Sequence, residues 1–251
     1  MKKLAVVGVL AACLGITGVA TAGPEADDAN GNFLVLDADF TPPASSTKKT
    51  ASAVNLEFHA SFDNKKSGAP FPASPTVTLT TPKGTVFNGA SFPACTQPTT
   101  DNIAQENRCG REQLIGGGEA VIDARGLGVQ QPLKATLTAY NQAKYQGAPT
   151  IAIFATADLN GSPITAEVDL AFKGGKLTLY RIPGAGSINY SFDSFDLTLG
   201  GIEKVSRKKR ISLWEAPEKC PKAGWKWAFN AVATGVDLTA KDTQGCIQIK
   251  D

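Results

Sequence analysis

Every second residue is apolar in Val54-Asn55-Leu56-Glu57-Phe58-His59-Ala60-Ser61-Phe62. The same alternation recurs in Leu133–Ala139 and Ile164–Phe172. A period of two sends successive side chains to opposite faces, so each segment reads as a half-buried β-strand. Ile151 to Ala157 is apolar on both faces and reads as a fully buried strand. Shorter strand candidates are Phe33–Asp37, Val77–Thr80, Glu119–Ile122, Leu177–Ile182, Ile188–Phe192, Phe195–Leu199 and Ile211–Trp214. Trp225–Ala233 and Val236–Asp242 read as a hairpin that turns near Thr234-Gly235.

Turn chemistry separates these segments. Asn160-Gly161 suits a type I′ turn, whose two central residues need positive φ, and Gly174-Gly175 marks the next reversal. Residues 150–182 therefore read as a three-stranded meander. The Pro-rich stretches 41–46 and 69–75 read as loops, because Pro cannot donate to a central ladder. The one helix candidate is a short segment near 101–107, capped by Thr100 or Asp101. About a dozen short strands and almost no helix predict an all-β antiparallel sandwich of the jelly-roll kind. A single domain over 23–251 is the preferred division; a split within the turn-rich stretch 123–132 is the alternative.

The N-terminus reads as an address. Lys2 and Lys3 precede an uncharged apolar run from Leu4 to Val19, and Ala20-Thr21-Ala22 has the A-x-A form of a cleavage site. We therefore expect residues 1–22 to be a secretory signal cleaved after Ala22, and the mature chain to be secreted or held in the extracytoplasmic envelope. Leu10-Ala11-Ala12-Cys13 resembles a bacterial lipobox, which makes a lipid anchor at Cys13 the alternative. No other segment approaches spanning length.

The 251 residues include 25 Lys and Arg against 23 Asp and Glu, a net charge of +2. Lys2 and Lys3 account for that excess, so the expected mature chain is neutral and makes no case for nucleic acid. Outside Cys13, the cysteines are Cys95, Cys109, Cys220 and Cys246. An even count in an exported chain predicts two disulfides. Of three connectivities, proximity favours Cys95–Cys109 and Cys220–Cys246. The Trp225–Asp242 hairpin also brings the stretches holding Cys220 and Cys246 to its open end.

Candidates for chemistry are few. His59, the only histidine, falls on the polar side of its strand beside Asn55, Glu57 and Ser61. It reads as a surface residue, since neither G-x-S-x-G nor H-E-x-x-H is present. Glu167 and Asp169 are the main catalytic candidates. Two residues apart on a strand, they project from one face, as the paired carboxylates of a glycoside hydrolase must. Gly116-Gly117-Gly118 lacks the Lys-Ser/Thr of a phosphate loop and reads as a flexible loop or bulge before the Glu119 strand. Trp225, Trp227 and Phe229 form a row better suited to a core than to sugar stacking. Trp214, at a strand end, is the better candidate for an exposed binding aromatic. Arg207, Lys208, Lys209 and Arg210, reinforced by Lys204, are a candidate contact for an anionic polymer or lipid head groups. Asp27, Asp28, Asn30 and Asn32 do not match a calcium loop and are expected to be disordered beside the cleavage site. No metal site and no cofactor is expected.

Two blocks carry a family resemblance. One holds Thr81-Pro82-Lys83-Gly84, Phe92-Pro93-Ala94-Cys95, Cys109 and Ile115-Gly116-Gly117-Gly118-Glu119-Ala120; the other holds Ala216-Pro217-Glu218-Lys219-Cys220-Pro221, Gly224-Trp225 and Cys246. Together they resemble a group of uncharacterised, exported β-rich proteins of actinobacterial type. The resemblance implies a bacterial envelope and supports the local disulfide pairing; no functional residue carries over. Separately, Ala166–Ala171 is similar to the E-x-D-x-E strand of jelly-roll glucanases, except that Ala171 replaces the acid/base Glu.

Three functions follow as expectations. The first is a non-catalytic envelope or extracellular protein that binds a cell-wall glycan or another envelope protein. The second is a carbohydrate-active hydrolase. The third is a carrier of a hydrophobic ligand between the sheets, which calls for an apolar cavity of several hundred Å3, within the roughly 300–1,000 Å3 usual for ligand pockets.

Overall fold

The computed structural model describes residues 25–41, 45–46, 53–66, 75–98, 106–123, 125, 129, 131–181, 191–206 and 209–248. The expected signal and lipobox, Arg207 and Lys208 lie outside them, as does most of the 101–107 helix candidate. Of that candidate, Glu106–Arg108 forms one turn of 3-10 helix. In chain order the strands are β1 Glu25–Asp27, β2 Asn32–Thr41, β3 Ser45–Ser46, β4 Asn55–Asn64, β5 Thr76–Thr80, β6 Val86–Phe87, β7 Leu114–Asp123, β8 Leu133–Tyr145 and β9 Ala148–Leu159. They continue with β10 Ser162–Lys173, β11 Lys176–Arg181, β12 Ser191–Gly200, β13 Glu203–Ser206, β14 Lys209–Ser212, β15 Trp214–Glu215, β16 Trp225–Ala233, β17 Val236–Gln244 and β18 Ile247–Gln248.

The all-β antiparallel architecture is present, and both faces of the sandwich belong to one sheet. Twelve strands pair in the order β1-β2-β4-β12-β7-β8-β9-β10-β11-β5-β16-β17, each pair antiparallel. The run β7 to β11 is a meander. Asn160 (φ 54°) and Gly161 (φ 82°) form its β9–β10 reversal, where positive φ at both positions is what the turn requires. Segments from before and after residues 123–132 interleave: β12 lies between β4 and β7, and β5 lies between β11 and β16.

The sheet curls until β17 runs along β2, and side chains close the seam. The Phe40 N–H donates to Gln244 Oε1 (3.0 Å), and Gln244 Nε2 donates to the Phe40 carbonyl (3.0 Å). One amide side chain thus does for Phe40 what a neighbouring backbone would do. Asp242 Oδ2 accepts from the Ala38 N–H (3.1 Å). Aromatic rings fill part of the interior of the resulting barrel. Phe40 packs on Trp225 and Trp227 across the core, with ring centroids 5.5 and 4.7 Å apart, and Phe62 and Phe195 each lie 6.0 Å from Phe229. Trp225, Trp227 and Phe229 are therefore core.

Both disulfides have the expected pairing, Cys95–Cys109 (Cα–Cα 4.9 Å) and Cys220–Cys246 (5.7 Å). Several expectations are corrected. Trp214 is fully buried, stacked on Phe87 at 4.5 Å and edge-on to Phe172 at 5.4 Å, so it is no exposed binding aromatic. Gly116, Gly117 and Gly118 are not a loop: they lie inside β7, just past a bulge between Leu114 and Gly116. The two candidates at 188–192 and 195–199 give one strand, β12, in the described residues, with a bulge between Phe192 and Ser194. Residues 27–32 are ordered, not disordered: Asp28 Oδ1 accepts from the N–H groups of Asn30 (2.8 Å) and Asn32 (3.0 Å), which builds the β1–β2 turn. Among the described residues no helix is long and apolar enough to cross a membrane.

Candidate functional site: an acidic groove around His59

Strand β2 alternates Leu34, Leu36, Ala38 and Phe40 inward with Val35, Asp37 and Asp39 outward. Register then assembles a site that no single strand contains. On the outer face, Asp37, His59, Asp196 and Glu119 fall in one cross-strand row through β2, β4, β12 and β7. Asp39, Glu57, Thr198 and Gly117 form the next row. Asp37, Asp39, Glu57, His59, Asp196 and Thr198 line an open groove of about 230 Å3.

His59 Nδ1 lies 2.7 Å from Asp196 Oδ1. Glu57 accepts a hydrogen bond from the Thr41 hydroxyl. Among the described residues, no Lys or Arg side chain pairs with Asp37, Asp39 or Glu57. The electrostatic consequence is visible in Asp39. Its side chain reaches solvent, yet partial desolvation by the groove walls, and then the charges of Asp37, Asp242 and Glu57, push its pKa up to about 6. Asp37 is raised as well, by burial first and by Asp242 second. The groove therefore holds more negative charge than its own carboxylates accept comfortably. A raised carboxyl pKa adds stability while the group is protonated. That contribution is complete below its unfolded value near 4 and is lost as pH climbs through about 6. Asp39→Asn should remove this loss. We expect its melting temperature to exceed that of the parent at pH 7, on a scale of about 2–4 °C per kcal/mol for a chain of this size, and to match it at pH 4. Calorimetry at the two pH values checks this; a variant less stable at pH 7 would refute the repulsion.

The predicted carboxylate pair lies elsewhere and is closed off. Glu167 and Asp169 do project from one outer face of β10, yet both are 0% exposed. The described parts of the loop closed by the Cys95–Cys109 disulfide, residues 95–98 and 106–109, lie against them, and Arg108 there binds Glu167 through both terminal nitrogens, one bond being Nη1 to Oε2 at 3.1 Å. Arg181 donates from Nε to Asp169 Oδ2 (2.6 Å) and Gln142 Nε2 donates to Asp169 Oδ1 (3.1 Å). The Tyr180 hydroxyl bonds Gln142 (3.0 Å) and Gln97 (3.2 Å), completing a polar network under the loop. Burial, and then the Glu167 charge, raises the Asp169 pKa.

The basic run does not form a single patch among the described residues. Arg210 is exposed and lies 3.4 Å from Glu203, and Lys209 opens β14. Lys204, taken as reinforcement, instead donates to the Ser91 carbonyl and sits over the Phe92 ring. Among the described residues no group of three or more His, Cys, Asp or Glu side chains is arranged to hold a metal ion. Inside the barrel, an apolar cavity measures about 80 Å3, below the several hundred expected of a carrier.

The sequence marks His59 as a lone histidine on a polar strand face, whereas Asp37, Asp39 and Asp196 join it only through strand register. Asp37 and Asp39 carry the signal Asp-x-Asp set within alternating Leu36, Ala38 and Phe40, and Asp196 carries none of its own. No protein-family model, curated protein or solved structure matches the chain.

Proposed function

We propose that this is an exported, non-catalytic binding protein of the bacterial envelope or the surrounding medium, and that the groove around His59 docks a basic segment of another envelope protein. One observation carries the reading: the fold gives its buried carboxylates arginine partners but leaves the groove carboxylates without Lys or Arg partners among the described residues. Glu167 has Arg108, Asp169 has Arg181 and Asp123 has Arg125, whereas Asp37, Asp39 and Glu57 crowd together at the cost of a raised Asp39 pKa. A cationic partner relieves that repulsion on arrival. Among the described residues the groove lining offers no exposed aromatic ring for a sugar to stack on, its Phe58 being buried, which favours a basic peptide over a glycan. Two disulfides suit an oxidising compartment outside the cytoplasm, as the N-terminal address does.

The test is a titration with labelled hexalysine at low salt. Binding at pH 7 should weaken at pH 5, where Asp39 is protonated, and should weaken as salt screens the charges. Neutralising Asp37, Asp39, Glu57 and Asp196 together should abolish it. Neutralising Glu25, Asp27, Glu112 and Glu218 should leave it unchanged. Equal losses in the two variants would mean non-specific attraction and would overturn the proposal.

One observation supports a second reading, glycan hydrolysis at this same groove. Asp39, with its pKa near 6, is the direct cross-strand partner of Glu57, and a carboxyl with a raised pKa beside a second carboxyl is what acid–base hydrolysis uses. Turnover of wall or plant glycans that disappears in Asp39→Asn would establish this reading over the first. Glu167 and Asp169, without exposed surface, have no route to a glycan.

A further inference from the structure

The barrel interior is unevenly filled. At one end Phe40, Trp225, Trp227, Phe87, Trp214 and Phe172 pack ring against ring. Toward the other end the inward positions shrink. One cross-strand row reads Phe195, Ala120, Ala135, Ala157 across β12, β7, β8 and β9. The next reads Leu197, Gly118, Leu137, Ala155, Ala166 and continues onto β10. Twelve strands enclose more width than the eight whose side chains just fill a barrel, so small residues on this wall leave space. The space is the cavity of about 80 Å3, with walls that include Phe58, Leu137, Ile153, Val168, Leu179 and Phe229. Every lining side chain is apolar. Val77, Val168, Leu179, Phe192 and Phe195 belong to this lining and remain only half-buried, whereas inward residues of a filled core would be buried outright.

We propose that this cavity is a second binding site, for a small uncharged apolar molecule no larger than a single six-carbon ring. The size follows from the volume: about 80 Å3 is roughly half of an apolar cavity of about 150 Å3 that takes up benzene, so the guest is at most a single small ring. The chemistry follows from the walls. A polar or charged guest would lose its hydration with nothing to replace it. An apolar guest gives up only unfavourable hydration and gains contacts that the lining side chains now lack. The acidic groove lies on the outer face of the same sheet, with Phe58 and Leu197 between the two sites.

The test uses the full mature chain with labelled methyl groups, titrated with benzene and, as a polar control of similar carbon count, 1,6-hexanediol. Benzene should give saturable shifts at the methyls of Leu137, Ile153, Val168 and Leu179 and raise the melting temperature. Hexanediol at the same concentration should do neither. Ala155→Leu fills the cavity from its wall and should weaken benzene binding at least tenfold without lowering the melting temperature. If that variant does not fold, Val168→Leu is read in its place. Shifts that do not saturate, that fall on surface methyls, or that persist in a folded filled variant would overturn the proposal. Hexalysine binding should be unaffected by benzene, so failure here and failure at the groove are separate results.

Discussion

Arg108→Ala is expected to destabilise the fold by about 3–5 kcal/mol, the cost of leaving one member of a buried ion pair without its partner. Glu167 has no exposed surface and Arg108 is 7% exposed at its side chain, so water cannot replace the guanidinium without opening the loop. Arg108 also donates from Nε to the Thr96 carbonyl (2.9 Å) and lies over the Phe154 ring at 5.2 Å, so its loss frees the covering loop from β9 and β10 together. A urea denaturation midpoint measures the effect. Removing both charges with Arg108→Met and Glu167→Leu should recover most of the loss, because well-packed apolar replacements of a buried pair are often neutral or better. A single-variant loss below about 1 kcal/mol would mean that the loop does not seal the pair.

Gly118→Ala is expected to cost about 3 kcal/mol or more, for a different reason. A Cβ on Gly118 would stand 1.9 Å from the Asp196 carbonyl oxygen, and one on Gly116 would stand 2.1 Å from that of Thr198. Both obstacles are backbone of β12, which cannot rotate away as a side chain can. Relieving the clash means parting β7 from β12, in the middle of the sheet and next to the row that holds Asp196 and His59. Gly245→Ala is the control. It has nothing within 4 Å and no positive φ, and should stay within about 0.5 kcal/mol of the parent. Equal behaviour of the two variants would show that the close approach of β7 and β12 is not a constraint.

Strand content was legible in the sequence because alternation is local. Leu56, Phe58, Ala60 and Phe62 declared an inward face, and Asn160-Gly161 declared a turn, within a few residues each. The row Trp225, Trp227, Phe229 read correctly as core for the same reason. What failed depended on partners distant in the chain. Trp214 looked like a strand end open to solvent, and Phe87 and Phe172, distant in the chain, pack against it in the core. The glycines 116–118 looked like a loop, and only the closeness of β12 explains them as strand. Glu167 and Asp169 were rightly placed on one outer face, but their exposure was decided by a disulfide-bounded loop some sixty residues earlier. The acidic groove was the least legible feature, since its members come from three strands that meet only through register. His59 carried a weak signal because one histidine beside a glutamate is common on any strand.

Underlying both stability arguments is a division of the carboxylates into two classes: Glu167 and Asp169 neutralised under a loop, and Asp37, Asp39, Glu57 and Asp196 held open for a partner. A carbon-detected NMR titration of the side-chain carboxyls, run with and without hexalysine, separates them in one measurement. Asp39 should titrate near 6 and the four groove carboxyls should shift on adding peptide, with Glu167 and Asp169 unmoved. Peptide-induced shifts spread evenly over the surface carboxylates, or centred on Glu167 and Asp169, would contradict it.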